Sequence, residues 1–146
     1  MNYVMKHFTL SEFEKSDTAW ARGIDNTIPR DAEVNIRKLV ENILDPAREE
    51  FGEPIIITSG YRCSKLNKIL ERIYGAAPLS LHVFGMAADI TAKDYHDNVR
   101  LLEILKKLPC YELIVYRFRS DPNLINRFHV AYMENAKPKV MFSKFI

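Results

Sequence analysis

At residues 80–89 the chain reads Ser80-Leu-His82-Val-Phe-Gly85-Met-Ala87-Ala-Asp89, which sets an imidazole and a carboxylate on either side of a glycine. Both side chains are ligand types for zinc. In one continuous helix they would share a face but lie about 10 Å apart along the axis, too far for two ligands of one ion. A turn at Gly85 that leads into a strand from Ala87 would bring them together. The segment therefore predicts a turn followed by a strand.

Helix signals dominate the first half of the chain. Thr9 and Glu12 have the spacing of a capping box, which predicts a short helix over about residues 10–15. Pro29 introduces a second helix with apolar residues at spacings of three and four, and Pro46 should kink or divide it. The same periodicity predicts later helices over residues 64–74 and after Asp94.

Strand signals dominate the second half. Short runs rich in β-branched and aromatic residues predict strands over residues 55–59, 87–91, 113–118, 128–132 and 140–145. Helices early and strands late favour an α+β fold with helices packed against a largely antiparallel sheet. The 146 residues contain no repeat or linker, so we expect a single compact domain over residues 1–146.

Composition excludes several classes of protein. Lys and Arg total 21 against 19 Asp and Glu, a balance that does not indicate a nucleic-acid partner. The apolar runs are shorter than the roughly 20 residues that a membrane-spanning helix needs. Cys63 and Cys110 are too few and too far apart for a thiolate zinc site, and we expect two free thiols. Without a recognisable export signal, we expect cytoplasmic synthesis. We also expect a monomer.

His129, in the run Phe128-His-Val-Ala131, is the natural third ligand beside His82 and Asp89. Three protein ligands with an open fourth position are typical of a catalytic zinc site. Each residue alone has an ordinary reading: His129 as a core histidine, and Asp89 as a hydrogen-bonded structural carboxylate.

The combined pattern carries more information than its parts. Ser80-x-His82-x-x-Gly85-x-Ala87-x-Asp89, preceded by Ser59-Gly60-Tyr61-Arg62 and followed by His129-Val130, resembles the zinc D-alanyl-D-alanine carboxypeptidase family. The likeness is to its compact single-domain branch, in the hedgehog/DD-peptidase fold group, and covers roughly residues 8–132.

The resemblance implies a role for each matching residue. His82, Asp89 and His129 would hold one Zn²⁺ ion, and Arg62 would face the anionic end of the substrate. A guanidinium suits this task because it stays charged and can bind a carboxylate bidentately. Ser80 would hydrogen-bond to the substrate or support a ligand. The implied substrate is a peptidoglycan stem peptide or a D-Ala-D-Ala-like dipeptide.

The general base departs from the family pattern. The family places it three residues before the last histidine ligand, or at the end of the preceding strand; here these positions hold Asn126 and Tyr116. A neutral amide cannot act as a base, and a tyrosine of ordinary pKa near 10 is a poor one at neutral pH. Glu112 on the preceding strand is the best substitute, and Asp121 in the following loop is an alternative.

Two functions follow from the resemblance. The first is a zinc peptidase for peptidoglycan peptides, either a D,D-carboxypeptidase or an endolysin-like endopeptidase, in a phage lysin or a cytoplasmic dipeptidase. It would reach the wall without a separate wall-binding module. The second is a noncatalytic zinc-binding or peptide-binding module that has lost the base. A structural domain without metal is the third reading.

Overall fold

The computed structural model describes residues 3–77, 80–137 and 140–146. Its helices are α1 Leu10–Glu14, α2 Asp17–Ala21, α3 Arg30–Leu39, α4 Asp45–Phe51, α5 Ser64–Tyr74 and α6 Asn98–Leu105. Its strands are β1 Ile55–Ser59, β2 Ala87–Ala92, β3 Glu112–Arg117, β4 Ile125–Ala131 and β5 Val140–Phe145. Short 3-10 turns over Leu81–Phe84 and Tyr95–Asp97 precede β2 and α6. The α+β prediction is confirmed.

The five strands form one sheet in the order β1-β2-β4-β3-β5. All neighbours are antiparallel except β3 and β5, which run parallel. This confirms the predicted largely antiparallel sheet. Every residue of β2 is buried, and the strand lies inside the sheet between β1 and β4.

The two faces of the sheet have different chemistry. Side chains alternate along a strand, so residues two apart share a face. Ile90, Val115 and Phe128 belong to the hydrophobic core, together with Ile36 of α3 and Leu101 of α6. The intervening residues of the same strands face the other way. Asp89, Glu112 and His129 are among them, so one face of the sheet builds the core and the other carries these predicted site residues.

The helix predicted after Pro29 stays helical through to Phe51 but changes its hydrogen-bond pattern just before Pro46. A π-helical segment, Val40–Leu44, joins α3 to α4, and Pro46 lies in the first turn of α4. Proline has no N–H to continue the helical hydrogen-bond pattern, which explains why the change occurs here. The buried Asp45 carboxylate accepts hydrogen bonds from the Lys6 and His7 amides and so holds the N-terminal segment.

Some boundaries differ from the predicted ones. Helix α2 lies where a polar loop was expected, and the Ser16 hydroxyl caps it by accepting from the Ala19 amide at 3.2 Å. Asp94 caps a 3-10 turn instead of a helix, and α6 begins only at Asn98. The strand predicted over residues 128–132 begins earlier, at Ile125.

Two exclusions drawn from composition can be compared with the structure. Cys63 and Cys110 are both free thiols, as predicted. Cys110 is buried, and this burial raises the pKa of its thiol to about 12. Within the described residues, no helix combines the length and the apolar character needed to span a membrane.

Gly85 offers a test of how the turn is built. Gly85 and Gly52 have nearly equal φ values of 74° and 75°. A Cβ at Gly85 would lie 2.5 Å from the Ala32 carbonyl oxygen, whereas a Cβ at Gly52 would meet no atom of the described residues within 4 Å. Gly52→Ala should therefore cost only the left-handed conformation, about 1–2 kcal/mol. Gly85→Ala should cost about 1–3 kcal/mol more, because backbone must move. Urea denaturation of both variants measures the difference; equal losses would contradict it.

Candidate metal centre

A cleft of about 720 Å³ opens on the face of the sheet that carries Asp89 and His129. Residues from the region between α1 and α2 and from α5 form other parts of its wall. The cleft brings together all six residues that the sequence predicted for the site: Arg62, Ser80, His82, Asp89, Glu112 and His129.

His82 is held in one orientation by its surroundings. It lies in the 3-10 turn, is only 2% exposed, and its backbone N–H donates to the Ser80 hydroxyl at 3.2 Å. Its ring Nδ1 lies 2.7 Å from the Gly60 carbonyl oxygen. A carbonyl can only accept, so Nδ1 carries the proton and Nε2 presents a lone pair in the neutral ring. Such support behind a ring nitrogen is typical of a metal-binding histidine.

Asp89 joins the two histidines. It is the register partner of His129 across β2 and β4, which places both side chains on the same face. Asp89 Oδ1 lies 3.2 Å from His82 Nε2 and 3.2 Å from His129 Nδ1. The ligand atoms of the three residues all lie within 4.8 Å of one another.

This donor set fits a divalent metal ion. Ligands about 2.0–2.1 Å from a tetrahedral zinc lie about 3.3 Å from one another, close to the two observed separations. In addition, the lone pair of neutral His82 points at an oxygen of Asp89, so two acceptors face each other. A cation between them removes that repulsion. His82, Asp89 and His129 are therefore the residues that would hold the ion.

The charges of the cluster follow from burial and hydrogen bonding. Burial lowers the pKa of His82, which keeps this ring neutral. Burial alone would raise the pKa of Asp89, but its contacts with the His82 and His129 rings, of which His129 donates from Nδ1, hold that pKa below its ordinary value. Burial likewise opposes the charge of His129, but hydrogen bonds to Asp89 and Glu112 outweigh it and raise the pKa of His129 to about 9.

Arg62 lies against the side of Asp89 that faces away from the histidines. Its Nη2 is 3.6 Å from Asp89 Oδ2, its Nε donates to the Ser59 hydroxyl at 3.2 Å, and its Nη1 donates to Asn67 Oδ1 at 3.4 Å. The side chain is only 13% exposed, and this burial lowers the pKa of Arg62. The predicted substrate-binding cation thus lies next to the cluster, within the cleft.

Glu112 contacts the other ring nitrogen of His129. Glu112 Oε1 lies 3.1 Å from His129 Nε2, so the two nitrogens of this ring are divided between two carboxylates. Alternation along β3 left the direction of Glu112 open, and the structure turns it into the cleft. The contact places its carboxylate on the far side of the ring from Asp89.

The other positions considered for the base differ in their surroundings. Tyr116 lines the cleft, and burial raises the pKa of its hydroxyl, which therefore stays protonated at neutral pH. Asn126 is skipped in the β3–β4 register, and its side-chain oxygen accepts from Arg127 Nη1 at 2.8 Å. Asp121 lies in an exposed turn, where it accepts from the Asn123 amide. Neither Asn126 nor Asp121 is among the residues that line the cleft.

A protein-family comparison agrees with this geometry. The model of the family described as Peptidase M15 matches residues 6–121. The chain belongs to the Peptidase M15 family. The resemblance to zinc D-alanyl-D-alanine carboxypeptidases is thereby confirmed, and membership supports a metallopeptidase of a family that usually uses zinc. The M15 match includes His82 and Asp89 but ends before His129, whose place in the cluster rests on the structure. No curated protein matches the sequence.

Arg127 and Lys144 are among the residues of the M15 cleft that the sequence did not predict for the site. Arg127 lies two residues before His129 on β4 and so on the same face, but it falls just outside the strand predicted over residues 128–132. Lys144 could not be placed on this face, because β5 pairs in parallel with β3 and no local sequence pattern predicts this pairing.

The raised pKa of His129 predicts how metal binding depends on pH. Below about pH 9 the metal-free ring carries a proton that zinc must displace, whereas His82 is already neutral. Zinc affinity should therefore rise about tenfold per pH unit from pH 6.5 to 8.5, with one proton released. Competition with a chelator measures the affinity, and calorimetry in two buffers counts the protons. A flat affinity over this range would contradict the protonation of His129.

Proposed function

We propose that the protein is a zinc-dependent peptidase that hydrolyses D-amino-acid-containing peptides of bacterial peptidoglycan, as a D,D-carboxypeptidase or an endolysin-like endopeptidase. The observation that carries the proposal is the convergence of His82, Asp89 and His129 in one cleft, with Arg62 beside them. Membership of the M15 family supports the same class of reaction. The substrate would be a stem peptide or a D-Ala-D-Ala-like dipeptide.

The chain's own residues supply binding and positioning. A bound zinc ion would acidify a water molecule and polarise the scissile carbonyl. Arg62 would bind the anionic end of the peptide through its guanidinium, whose orientation Ser59 and Asn67 already hold. The Ser80 hydroxyl caps the 3-10 turn by accepting a hydrogen bond from the His82 amide. Ser80 would keep this ligand in place or bind substrate.

Glu112 could act as the general base or could orient the His129 ring. As the general base, it would take the proton of the attacking water. Its hydrogen bond with His129 Nε2 favours a different role, in which it orients the ring so that Nδ1 faces Asp89. Carboxylates that hold the far nitrogen of a metal-binding histidine are common in zinc sites and typically strengthen metal binding by 10–100-fold. The base assignment stays a prediction, and substitution separates the two roles.

A noncatalytic zinc-binding or peptide-binding module is the second candidate. Asn126 and Tyr116 occupy the positions where the family carries its base, and this favours a module that binds without cleaving. The two candidates share the metal cluster and the cleft. Zinc content alone therefore does not separate them, and product release does.

The decisive experiment incubates the zinc-loaded protein with purified peptidoglycan and, separately, with the D-Ala-D-Ala dipeptide. Mass spectrometry should detect released peptide fragments or free D-alanine, and His82→Ala should abolish both zinc and product. Cleavage only of the intact wall indicates a lysin, whereas cleavage only of the dipeptide indicates a cytoplasmic dipeptidase. Binding of the stem peptide without any product would establish the noncatalytic module.

Arg62→Ala should separate substrate binding from metal binding. We expect kcat/KM to fall by about 10–100-fold, the equivalent of one charged hydrogen-bonding interaction. Bound zinc should remain near one ion per chain, because Arg62 is assigned to substrate. Arg62→Lys should recover only a fraction, since an ammonium cannot bind a carboxylate bidentately. Metal analysis beside kinetics checks this; loss of zinc equal to the loss of activity would overturn the assignment.

Glu112→Gln and Glu112→Ala should distinguish the two roles of Glu112. A glutamine oxygen still accepts the hydrogen bond from His129 Nε2 but cannot take up a proton. If Glu112 orients the ring, the glutamine variant keeps most of its zinc affinity and activity, and the alanine variant loses about 10–100-fold in zinc affinity. If Glu112 is the base, both variants lose about 100-fold or more in kcat at saturating zinc.

A further inference from the structure

We propose that Arg127 and Lys144, on either side of Tyr116 in one row across the sheet, form a second anion-binding subsite that holds a free carboxylate of the substrate near the scissile bond. The inference rests on the proposed function and narrows its substrate class to acidic peptides. These cations lie beyond residues 6–121, the segment matched by the family.

The row follows from the sheet register. Tyr116 of β3 is the partner of Arg127 on β4 and of Lys144 on β5. Because register partners lie side by side, the three residues form a line perpendicular to the strands. All three line the same cleft as the metal cluster.

The row lies close to the metal cluster. Arg127 precedes His129 by two positions on β4, and Tyr116 follows Ile114, the partner of His129, by two on β3. Two residues along a strand span about 7 Å. That is the length of about two residues of an extended peptide. A substrate whose scissile carbonyl lies at the metal cluster therefore reaches this row with a group one or two residues away.

The two cations have hydrogen-bonding capacity to spare. Arg127 stacks on the Tyr116 ring, with Cζ 4.0 Å from the centroid, and Nη1 donates to the neutral Asn126 oxygen. Within residues 3–77, 80–137 and 140–146, neither Arg127 nor Lys144 forms a salt bridge with a carboxylate of the chain. Stacking fixes the plane of the guanidinium while leaving other N–H groups for a ligand.

Arg62 differs from Arg127 and Lys144 in how far its charge is already compensated. Its three nitrogens already contact Ser59, Asn67 and Asp89, and the Asp89 carboxylate partly neutralises it. The positive charge of the Arg127 row is not offset in this way. A carboxylate there would be bound by a planar donor pair on one side and an ammonium on the other. An uncharged carboxamide would lose the charge attraction and would face donors with its own donors.

The chemical class of substrate follows. It is a peptide with an ionised carboxylate on a residue one or two positions from the scissile bond, in addition to any terminal carboxylate. On such a peptide, the row would distinguish a free carboxylate from a carboxamide at the same position.

The test compares two stem pentapeptides of the same sequence, one with free carboxylates on its second and third residues and one with both as carboxamides. For the wild-type protein, kcat/KM should favour the acidic peptide by at least about tenfold, the equivalent of one charged hydrogen bond. Arg127→Gln and Lys144→Gln should each bring this ratio towards one. Arg119→Gln, which makes the same charge change at an exposed residue outside the cleft, should keep it.

Arg127→Lys keeps the charge and should retain part of the preference, so a loss of folding in Arg127→Gln does not decide the result. Calorimetry with the zinc-loaded protein measures the binding affinity of both peptides and does not require that either is cleaved. If neither peptide is cleaved but the acidic one binds more tightly through Arg127, the proposed function fails and the subsite stands. If both are cleaved and the ratio is the same in wild type and in both glutamine variants, the subsite is overturned and the peptidase stands.

Discussion

The buried carboxylate of Asp89 is the point on which the site depends. Oδ1 faces a nitrogen of each histidine, and Oδ2 faces Arg62. An ionised carboxylate is costly to bury unless cations and hydrogen-bond donors surround it. His129 and Arg62 meet this need, and the same arrangement places one negative charge between two imidazoles. Removing Asp89 would therefore disconnect the histidines and the arginine from one another, in addition to removing a ligand.

The sheet turns this local arrangement into a cleft. Its core face is covered by helices, so the polar residues on the opposite face are held on strands that cannot shift without disturbing packed side chains. Register then places Asp89 beside His129, and Tyr116 between Arg127 and Lys144. Rigid strands of this kind position functional groups better than loops do.

The sequence predicted the features whose cause is local. The turn at Gly85, the strand after it and the pairing of His82 with Asp89 follow from spacing within ten residues, and the α+β class follows from the order of helix and strand signals. What escaped prediction depends on distant partners. Helix α2 packs where a polar loop was expected, the direction of Glu112 needed the neighbouring strand, and Lys144 enters the cleft only because β5 pairs with β3.

The close approach at Gly60 links the first helix to the metal centre. A Cβ at Gly60 would lie 2.6 Å from the Phe13 Cα, and the Phe13 carbonyl accepts from the Tyr61 amide at 2.7 Å. The Gly60 carbonyl is also the group that selects the protonated nitrogen of His82. The packing of α1 against the end of β1 thus positions the Gly60 carbonyl, and this carbonyl selects the tautomer of His82. The N-terminal segment acts as an outer brace of the metal site, even though it supplies none of the ligands.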